Sequence, residues 1–374
     1  SEFFLELFSE EIPAGLQKKA RIDLLTNFNE FFKKKNIKFN KEDSFSTPNR
    51  LLILFSGIQN EIHQKEEEIR GPKIDAPEKA LIGFLKSNKL LKQNIYKKQT
   101  EKGSFYFAKK VAKKVKVFEL LNENIPQILD KISWKKSMKW GNYDLYWARP
   151  LKSIMAIFNN KSLNFTYHHL ESSDFTYIDK DFEDKIKKFK NFKKYFDYFK
   201  KNKIIINQNI RKKFIEKELV KISNRKDLSI DINQKLLDEV TNLVNKPNVI
   251  LCKFDEEFLK IPKEILITTM QFHQKYFHTL DKKGNITNNF LVVANNKDKK
   301  GFIKYGNERV VNARLSDAQF FWEKNKSNNL VKQVSKLKSM NYFKGLGSYF
   351  DKIQRMRKLG GFISDEMLIS KDKV

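Results

Sequence analysis

The chain has 374 residues, enough for two or three domains with separate hydrophobic cores. Its 74 Lys and Arg residues outnumber its 45 Asp and Glu residues, and the formal net charge of +29 favours a polyanionic partner such as nucleic acid. The excess is mostly Lys, beside abundant Asn, Ile and Phe, so AT-rich codon usage is an alternative source of the charge. A single cysteine excludes an internal disulfide. No apolar run reaches the roughly 18 residues of a membrane span and no signal-peptide pattern opens the chain, so we expect a cytoplasmic protein without a membrane partner.

Strand and helix signals alternate through the amino-terminal part of the chain. Apolar residues recur at every second position over 3–8, which predicts a strand with one continuous apolar face. Pro13 then suits the first turn of a helix that ends within 33–36. The same patterns predict three further strands, at 51–55, 104–111 and 153–158, and one helix at 117–132. Interleaved strands and helices predict an α+β fold with mixed α/β domains rather than a helical bundle.

A Lys- and Phe-rich segment at 181–203 changes the character of the chain. Its apolar residues fall three or four positions apart, which predicts a helix with one apolar and one basic face. Such a helix packs on a domain, faces RNA or lies on a membrane surface, and we favour the packed helix. The pattern then predicts a strand at 204–206, helices at 209–222 and 236–244, and a strand at 249–254.

Helical periodicity continues from Ser316, a candidate N-cap, to the end of the chain. We therefore predict a multidomain protein with three parts. An amino-terminal α/β domain covers 1–160, and a second α+β domain covers 161–315 and contains the basic helical segment 181–222. A truncated helical domain begins at 316 and runs to 374.

A search for catalytic, cofactor and metal sites finds none. His273 and His278 are five residues apart, which is not the spacing of a helical zinc site. Gly345-Leu346-Gly347 lacks the Lys-Ser/Thr pair of a phosphate-binding loop. Glu10-Glu11 precedes a helix, where carboxylates complement the positive helix end. We predict no catalytic, cofactor-binding or metal-binding residue in this chain.

Basic residues beside turns and aromatic rings are the remaining candidates for RNA contacts. Arg70-Gly71-Pro72-Lys73 places two cations around a predicted turn. Lys135, Lys136 and Lys139 surround two tryptophans, and Arg149 follows a third, so these segments either stack on bases and clamp phosphates or turn around buried indoles. Helical segments farther along carry the candidates Arg309, Arg314, Lys352 and Arg355.

Several short motifs occur in a fixed order along the chain. They are Phe4-Leu5-Glu6-Leu7, Glu10-Glu11-Ile12-Pro13, Thr47-Pro48-Asn49-Arg50-Leu51, Arg70-Gly71-Pro72-Lys73, Met138-Lys139-Trp140-Gly141, Arg149-Pro150 and Arg314-Leu315-Ser316-Asp317-Ala318-Gln319-Phe320-Phe321. Their order and spacing resemble the beta subunit of the bacterial two-subunit glycyl-tRNA synthetase.

The resemblance implies a subunit that recognises tRNA(Gly) and supports assembly. It implies that an alpha subunit binds glycine, ATP and Mg and performs the chemistry of this glycine–tRNA ligase, with two copies of each subunit. It also implies that the helical part from 316 begins an HD-type domain, and that the sequence corresponds to the amino-terminal half of a longer family chain. A stand-alone RNA-binding protein and an editing or HD-type hydrolase remain the alternatives.

The chain departs from the family pattern at three places. Pro48-Asn49-Arg50 replaces Pro-Arg-Arg and Met138-Lys139-Trp140-Gly141 replaces Met-Arg-Trp-Gly, so each motif has one guanidinium fewer. Arg50 stays a candidate tRNA contact. The Arg-Gly-His-Arg-Phe segment expected near 170 is replaced over 168–175, and we assign that loop no role.

Overall fold

The computed structural model describes residues 1–64, 67–88, 90–100, 103–110, 113–178, 185–327 and 329–367. The chain divides into two compact units. The first comprises Ser1–Ile222, Ile232–Val249 and Val293–Lys297, and the second comprises Ser223–Asp231, Ile250–Val292 and Asp298–Val374. The mixture of helices and strands confirms the predicted α+β class, whereas the domain limits at 160 and 315 and the HD-type assignment stay predictions.

The first unit is built on a mixed sheet. Its elements are β1 (Glu2–Ser9), α1 (Ala14–Lys35), β2 (Lys41–Thr47), β3 (Arg50–Ser56), β4 (Glu61–Gln64), β5 (Glu67–Lys73), α2 (Glu78–Ser87), β6 (Ile95–Thr100), β7 (Gly103–Lys110), β8 (Lys113–Lys116), α3 (Val117–Leu129), β9 (Leu151–Phe158), β10 (Lys161–Ser162), β11 (Thr166–Tyr167), β12 (Leu170–Ser173), β13 (Phe175–Tyr177), β14 (Ile186–Lys188), α4 (Phe192–Lys201), α5 (Gln208–Asn224) and α6 (Gln234–Thr241). Seven strands form the main sheet in the order β11-β12-β9-β1-β3-β2, with β10 added to β9. β1 pairs antiparallel with both neighbours, so that Leu5 lies opposite Ile53 and Ala156.

Both faces of the central strand β1 are buried. Phe3, Leu5 and Leu7 belong to the core that also contains buried side chains of α1 and α3. Phe4 belongs to a second core on the other face, with Phe199 of α4. The strand at 3–8 is thus confirmed, and the face opposite the predicted apolar stripe is buried as well.

α1 follows the predicted limits. It begins at Ala14 directly after Pro13, and it ends at Lys35 because Asn36 adopts the left-handed conformation with φ 54°. Its buried residues Leu24 and Phe28 are one helical turn apart and pack against the sheet.

A small lobe lies between β4 and β8, which pair antiparallel as a two-stranded ribbon. It consists of the three-stranded sheet β5-β7-β6 and of α2. The predicted strand at 104–111 is β7, and residue 111 lies outside the described residues.

The basic segment at 181–222 differs from its prediction. Residues 181–184 lie outside the described residues, 186–188 form β14, and the helix α4 begins only at Phe192. Residues 204–206 form no strand: they connect α4 to α5, and Ile205 donates a single backbone hydrogen bond of 2.8 Å to the carbonyl oxygen of Asn245. The apolar face of α4 is buried through Tyr195 and Phe199, which confirms the packed-helix interpretation.

The second unit contains a three-stranded sheet and several helices. Its elements are β15 (Asn248–Lys253), α7 (Lys263–Thr268), β16 (Phe277–Leu280), β17 (Ile286–Ala294), α8 (Phe302–Ser327), α9 (Leu330–Gln333), β18 (Asn341–Phe343), β19 (Gly347–Ser348) and α10 (Tyr349–Glu366). The sheet has the order β15-β17-β16. Its core joins Phe254, Phe290 and Met270 to Val311 and Leu315 of α8.

The prediction of continuous helix from Ser316 is wrong in two respects. Ser316 lies in the middle of α8, which begins at Phe302, and is therefore not an N-cap. β18 and β19 interrupt the helical region as a short antiparallel pair. The residue that caps α10 is Ser348, whose side chain accepts a hydrogen bond from the backbone N–H of Asp351.

Candidate nucleic-acid interface

Arg50 is a core residue rather than an RNA contact. Its side chain is 1% exposed, and its Nε lies 3.2 Å from Oε2 of the buried Glu6. The guanidinium carbon lies 4.6 Å and 4.8 Å from the ring centroids of Phe8 and Phe199, and Nη2 donates to the carbonyl oxygen of Tyr177. The prediction that Arg50 contacts tRNA is therefore wrong, because no phosphate reaches a guanidinium that is enclosed on all sides by protein.

Arg70 and Lys73 lie on β5 at a bulge and not at a turn. The register of the pairing between β5 and β7 shifts between these two residues. Gly71, which lies between them, is so close to Phe84 that a Cβ atom on it would lie 3.0 Å from that ring. The Arg70 guanidinium lies 3.5 Å from the ring centroid of Phe105, so the ring holds it in place at an exposed position. Lys73 is also exposed. Both cations remain accessible to a phosphate.

The segment 134–149 connects α3 to β9 and folds back on itself through an isolated bridge between Met138 and Trp147. Trp147 is 1% exposed, and Trp134 and Trp140 pack against the same core. Trp134 and Trp147 meet edge to face with centroids 5.0 Å apart. The structural interpretation therefore holds for these indoles, and their burial fixes the path of the segment.

Four candidate cations are exposed on this segment. They are Lys135, Lys136, Lys139 and Arg149. Lys139 is paired with Asp144 at 2.9 Å, and this hydrogen bond raises the pKa of Lys139 and lowers the pKa of Asp144. Within the described ranges no carboxylate pairs with the other three. Unpaired, exposed cations are the groups most able to bind phosphate without losing an existing partner.

The divergent loop at 168–175 lies against this segment. The ring of His169 stacks on Tyr143 with centroids 3.6 Å apart and an interplanar angle of 9°, and the edge of Trp140 contacts it at 5.8 Å. Burial and the neighbouring His168 lower the pKa of His169. Sequence patterns gave no signal for the stack of His169 on Tyr143, because the two residues are separated along the chain and neither lies in a periodic element.

The second unit carries the other predicted cations. Arg309 and Arg314 are exposed on α8. Arg309 lines a groove of about 750 Å³ whose other charged residues include Lys304 and Glu308. Glu308 accepts a hydrogen bond from the backbone N–H of Lys253 at 2.8 Å, so the groove contains both signs of charge.

The two candidates on α10 have different surroundings. Lys352 is half-buried, with Nζ 4.3 Å from the ring centroid of Tyr342 and 5.9 Å from that of Tyr349. Arg355 is exposed and lies close enough to Asp351 to help lower the pKa of that carboxyl group. Which of the accessible cations contact RNA stays a prediction.

The described parts of the chain contain no cluster of three or more His, Cys, Asp or Glu side chains arranged to hold a metal ion. None of their helices combines the length and the apolar composition needed to cross a membrane. Cys252 is fully buried, and burial raises the pKa of its thiol to about 12.

Comparison with known protein families shows to which family the chain belongs. The family model described as Glycyl-tRNA synthetase beta subunit matches residues 3–373. The chain belongs to this beta-subunit family. The match extends over both units, so neither the lobe at 67–110 nor the region after α8 is foreign to the glycyl-tRNA synthetase beta-subunit family.

Relatives of the beta-subunit family include proteins named Glycine–tRNA ligase beta subunit from three Rickettsia species. Those of Rickettsia felis and Rickettsia peacockii are 35% and 36% identical over 362 and 365 residues, which is 96% and 97% of this chain. That of Rickettsia prowazekii is 35% identical over 367 residues, or 98% of this chain. The matched regions are 54%, 55% and 55% of these relatives, so the chain spans about half the length of the curated relatives it matches.

Proposed function

We propose that this chain provides tRNA recognition and subunit assembly in a glycine–tRNA ligase. A separate alpha subunit would bind glycine, ATP and Mg²⁺ and perform the aminoacylation of tRNA(Gly), in a complex with two copies of each subunit. The observation that carries the proposal is the family match over residues 3–373. The net charge of +29 supports a nucleic-acid partner.

The first unit offers the surface that best suits tRNA. Lys135, Lys136 and Arg149 are exposed on one segment whose path is fixed by buried tryptophans. A fixed path matters because a pre-positioned cation loses less conformational entropy when it binds a phosphate. Arg70 and Lys73 form a second accessible pair on the lobe.

Binding of tRNA(Gly) to the purified chain tests this surface. A double substitution of Lys135 and Lys136 with Ala should weaken binding in fluorescence anisotropy. It should also reduce the dependence of log Kd on log salt by roughly one unit per lost phosphate contact. The matched control is Lys19→Ala on α1, an exposed lysine that pairs with Asp23. Equal affinities and salt slopes for the double variant and the parent would contradict the assignment of this surface.

Assembly and chemistry are tested with the alpha subunit. The two chains should co-purify in a fixed ratio, and glycine-dependent pyrophosphate exchange should require the alpha subunit. Exchange by this chain alone would overturn the division of labour. Stable tRNA binding without any association with the alpha subunit would favour a stand-alone RNA-binding protein, and phosphohydrolase activity of the chain would favour the hydrolase alternative.

A further inference from the structure

A cavity of about 300 Å³ opens between the end of α3, the segment 134–149 and β11. This volume lies at the lower end of the roughly 300–1,000 Å³ found for small-molecule sites. Six of the residues that line it carry its chemistry: Asp130, Trp134, Asp144, Tyr146, Trp147 and His168. The cavity therefore combines aromatic walls with two carboxylates.

The wall formed by Trp147 is preformed. Trp147 is 1% exposed and contacts Trp134 edge to face at 5.0 Å and Tyr167 at 6.4 Å, so its ring is fixed by packing. Tyr146 is 59% exposed and supplies a ring at the solvent side of the cavity. Tyr146 is therefore the ring on which a planar ligand can stack, and the packed Trp147 adds an apolar wall.

Unsatisfied donors occur in the same walls. The indole N–H groups of Trp134 and Trp147 are buried and have no hydrogen-bond acceptor within the described residues. Buried donors of this kind are uncommon in native proteins.

Two carboxylates line the cavity, and Asp144 is already paired with Lys139 at 2.9 Å, so Asp130 is the acceptor left for a base. Oδ1 of Asp130 lies 3.7 Å from Nε2 of His168, and the side chains of Asp130 and Asp144 are 59% and 88% exposed. Carboxylates accept hydrogen bonds from ring and exocyclic N–H groups, and they repel an anion. The exposed cations Lys135 and Lys136 lie outside the lining of the cavity on the same segment, where a phosphate group is favoured.

We propose that this cavity binds one unpaired nucleobase of the bound RNA, with its ring stacked on the exposed Tyr146 and its N–H groups on Asp130. The proposal rests on the proposed function, because the RNA backbone is held by the cations of the same segment. Guanine is the preferred base, since its neighbouring N1–H and N2–H₂ groups donate in parallel to one carboxylate as no other standard base does. Asp130, held between His168 and Tyr167, is the acceptor that reads it.

Single-stranded RNA probes test this pocket with the 374-residue chain. The probes are hexauridylate and three hexamers in which one central uridine is replaced by guanosine, adenosine or cytidine. The guanosine hexamer should bind best. Tyr146→Ala should weaken its binding on the order of tenfold by removing one stacking face, whereas Tyr146→Phe should retain the affinity. Asp130→Asn should abolish the preference for guanosine without changing the salt slope, because it removes no phosphate contact.

The outcomes separate the pocket from the proposed function. If all four hexamers bind equally and with a normal salt slope, the nucleobase pocket is wrong while tRNA binding by the basic surface stands. If neither the hexamers nor tRNA(Gly) bind, both proposals fail. Near-ultraviolet circular dichroism of each variant must match the parent, which shows that the variant is folded independently of its binding. Loss of the guanosine preference in Tyr146→Phe would also contradict the pocket, because that ring is unchanged.

Discussion

Arg211 is a fully buried cation for which the described residues provide no carboxylate partner. Its Nε donates to the carbonyl oxygen of Thr241 at 2.8 Å, and its Nη2 donates to that of Ser46 at 2.9 Å. Its Nη1 donates to the carbonyl oxygens of Ile205 and Ile206. Burial lowers the pKa of Arg211 to about 9, and these carbonyl dipoles are what hold the guanidinium in place. One side chain thereby connects α5, α6, β2 and the loop before α5.

We expect Arg211→Met to lower the free energy of unfolding of the first unit by about 2–4 kcal/mol, because it leaves buried carbonyl oxygens without donors. Urea unfolding followed by tryptophan fluorescence in a Trp322→Phe background, in which every tryptophan lies in the first unit, measures the change. The matched control is Arg149→Met at an exposed position, which should change stability by less than about 0.5 kcal/mol. Equal stabilities for the two variants would show that the hydrogen bonds from Arg211 to the carbonyl oxygens contribute nothing to the free energy of unfolding.

His278 gives the second unit a dependence on pH. The side chain is 5% exposed, and its Nδ1 accepts a hydrogen bond from Nε2 of Gln271 at 2.9 Å when the proton is on Nε2. Burial lowers the pKa of His278 below the ordinary value of 6.5, and Asp231 partly opposes this shift. Below that value the unfolded chain binds a proton that the folded site resists. The contribution of His278 to the free energy of unfolding is therefore fully present above pH 6.5 and is lost as the pH falls below that value.

We expect the unfolding free energy of the second unit to decrease between about pH 7 and about pH 5, with a contribution from His278 of at most about 1.4 kcal/mol per pH unit. His278→Gln should reduce this slope, and His273→Gln, at an exposed position of the same unit, should not. Hydrogen exchange of the strand Phe277–Leu280 at several pH values measures the slope locally. A slope that is the same in parent and His278→Gln would contradict the assignment.

Among the secondary-structure elements, α4 shows why the basic segment is amphipathic. Phe199 is fully buried, with its ring centroid 4.6 Å from that of Tyr195 and beneath the Arg50 guanidinium. The lysines of α4 lie on its other side, so its amphipathic pattern has a structural cause. The apolar face binds the sheet, and the charged face is the solvated remainder.

We expect Phe199→Ala to destabilise the first unit by about 3–5 kcal/mol, because it removes a buried ring and leaves a cavity. Phe196→Ala, at a half-exposed position of the same helix, should cost clearly less. Both variants, once folded at low temperature, should bind tRNA(Gly) as the parent does. A loss of RNA affinity in folded Phe196→Ala would favour the RNA-facing interpretation of α4.

At the scale of the whole molecule, the second unit exposes many large apolar side chains after residue 301. Phe302, Leu330, Phe343 and Phe362 are 71%, 82%, 67% and 63% exposed, and among the described residues of α10 only Ser364 is buried. Helices with so little packing gain too little from propensity alone to stay ordered. Exposed apolar surface of this extent is typical of regions that bind another protein surface.

We expect limited chymotrypsin digestion to cleave within 329–367 first, because segments with few buried contacts open most easily. Mass spectrometry should identify a product that retains the residues up to the end of α8. Association with the alpha subunit should slow this cleavage if that subunit covers the region. First cleavage in the lobe at 67–110, with 329–367 intact, would contradict the expectation.

Local sequence patterns determined much of this protein. The strand at 3–8, the helix α1 and the helix α3 were predictable, because alternation, helical spacing and the position of Pro13 act within a few residues of one another. The order of short motifs indicated the family, which the match over 3–373 then showed. The strand predicted at 204–206 and the N-cap predicted at Ser316 failed, because tertiary packing set those limits and local propensity did not.

Only the tertiary structure decided which cations are free. Arg50 and Arg211 look like surface residues in the sequence, yet partners from distant parts of the chain enclose both. The stack of Tyr143 on His169 and the cavity beside Trp147 likewise join residues from separate elements. The physical reason is that burial and electrostatic pairing depend on long-range contacts, whereas periodicity reports only the local preference of each element for one apolar face.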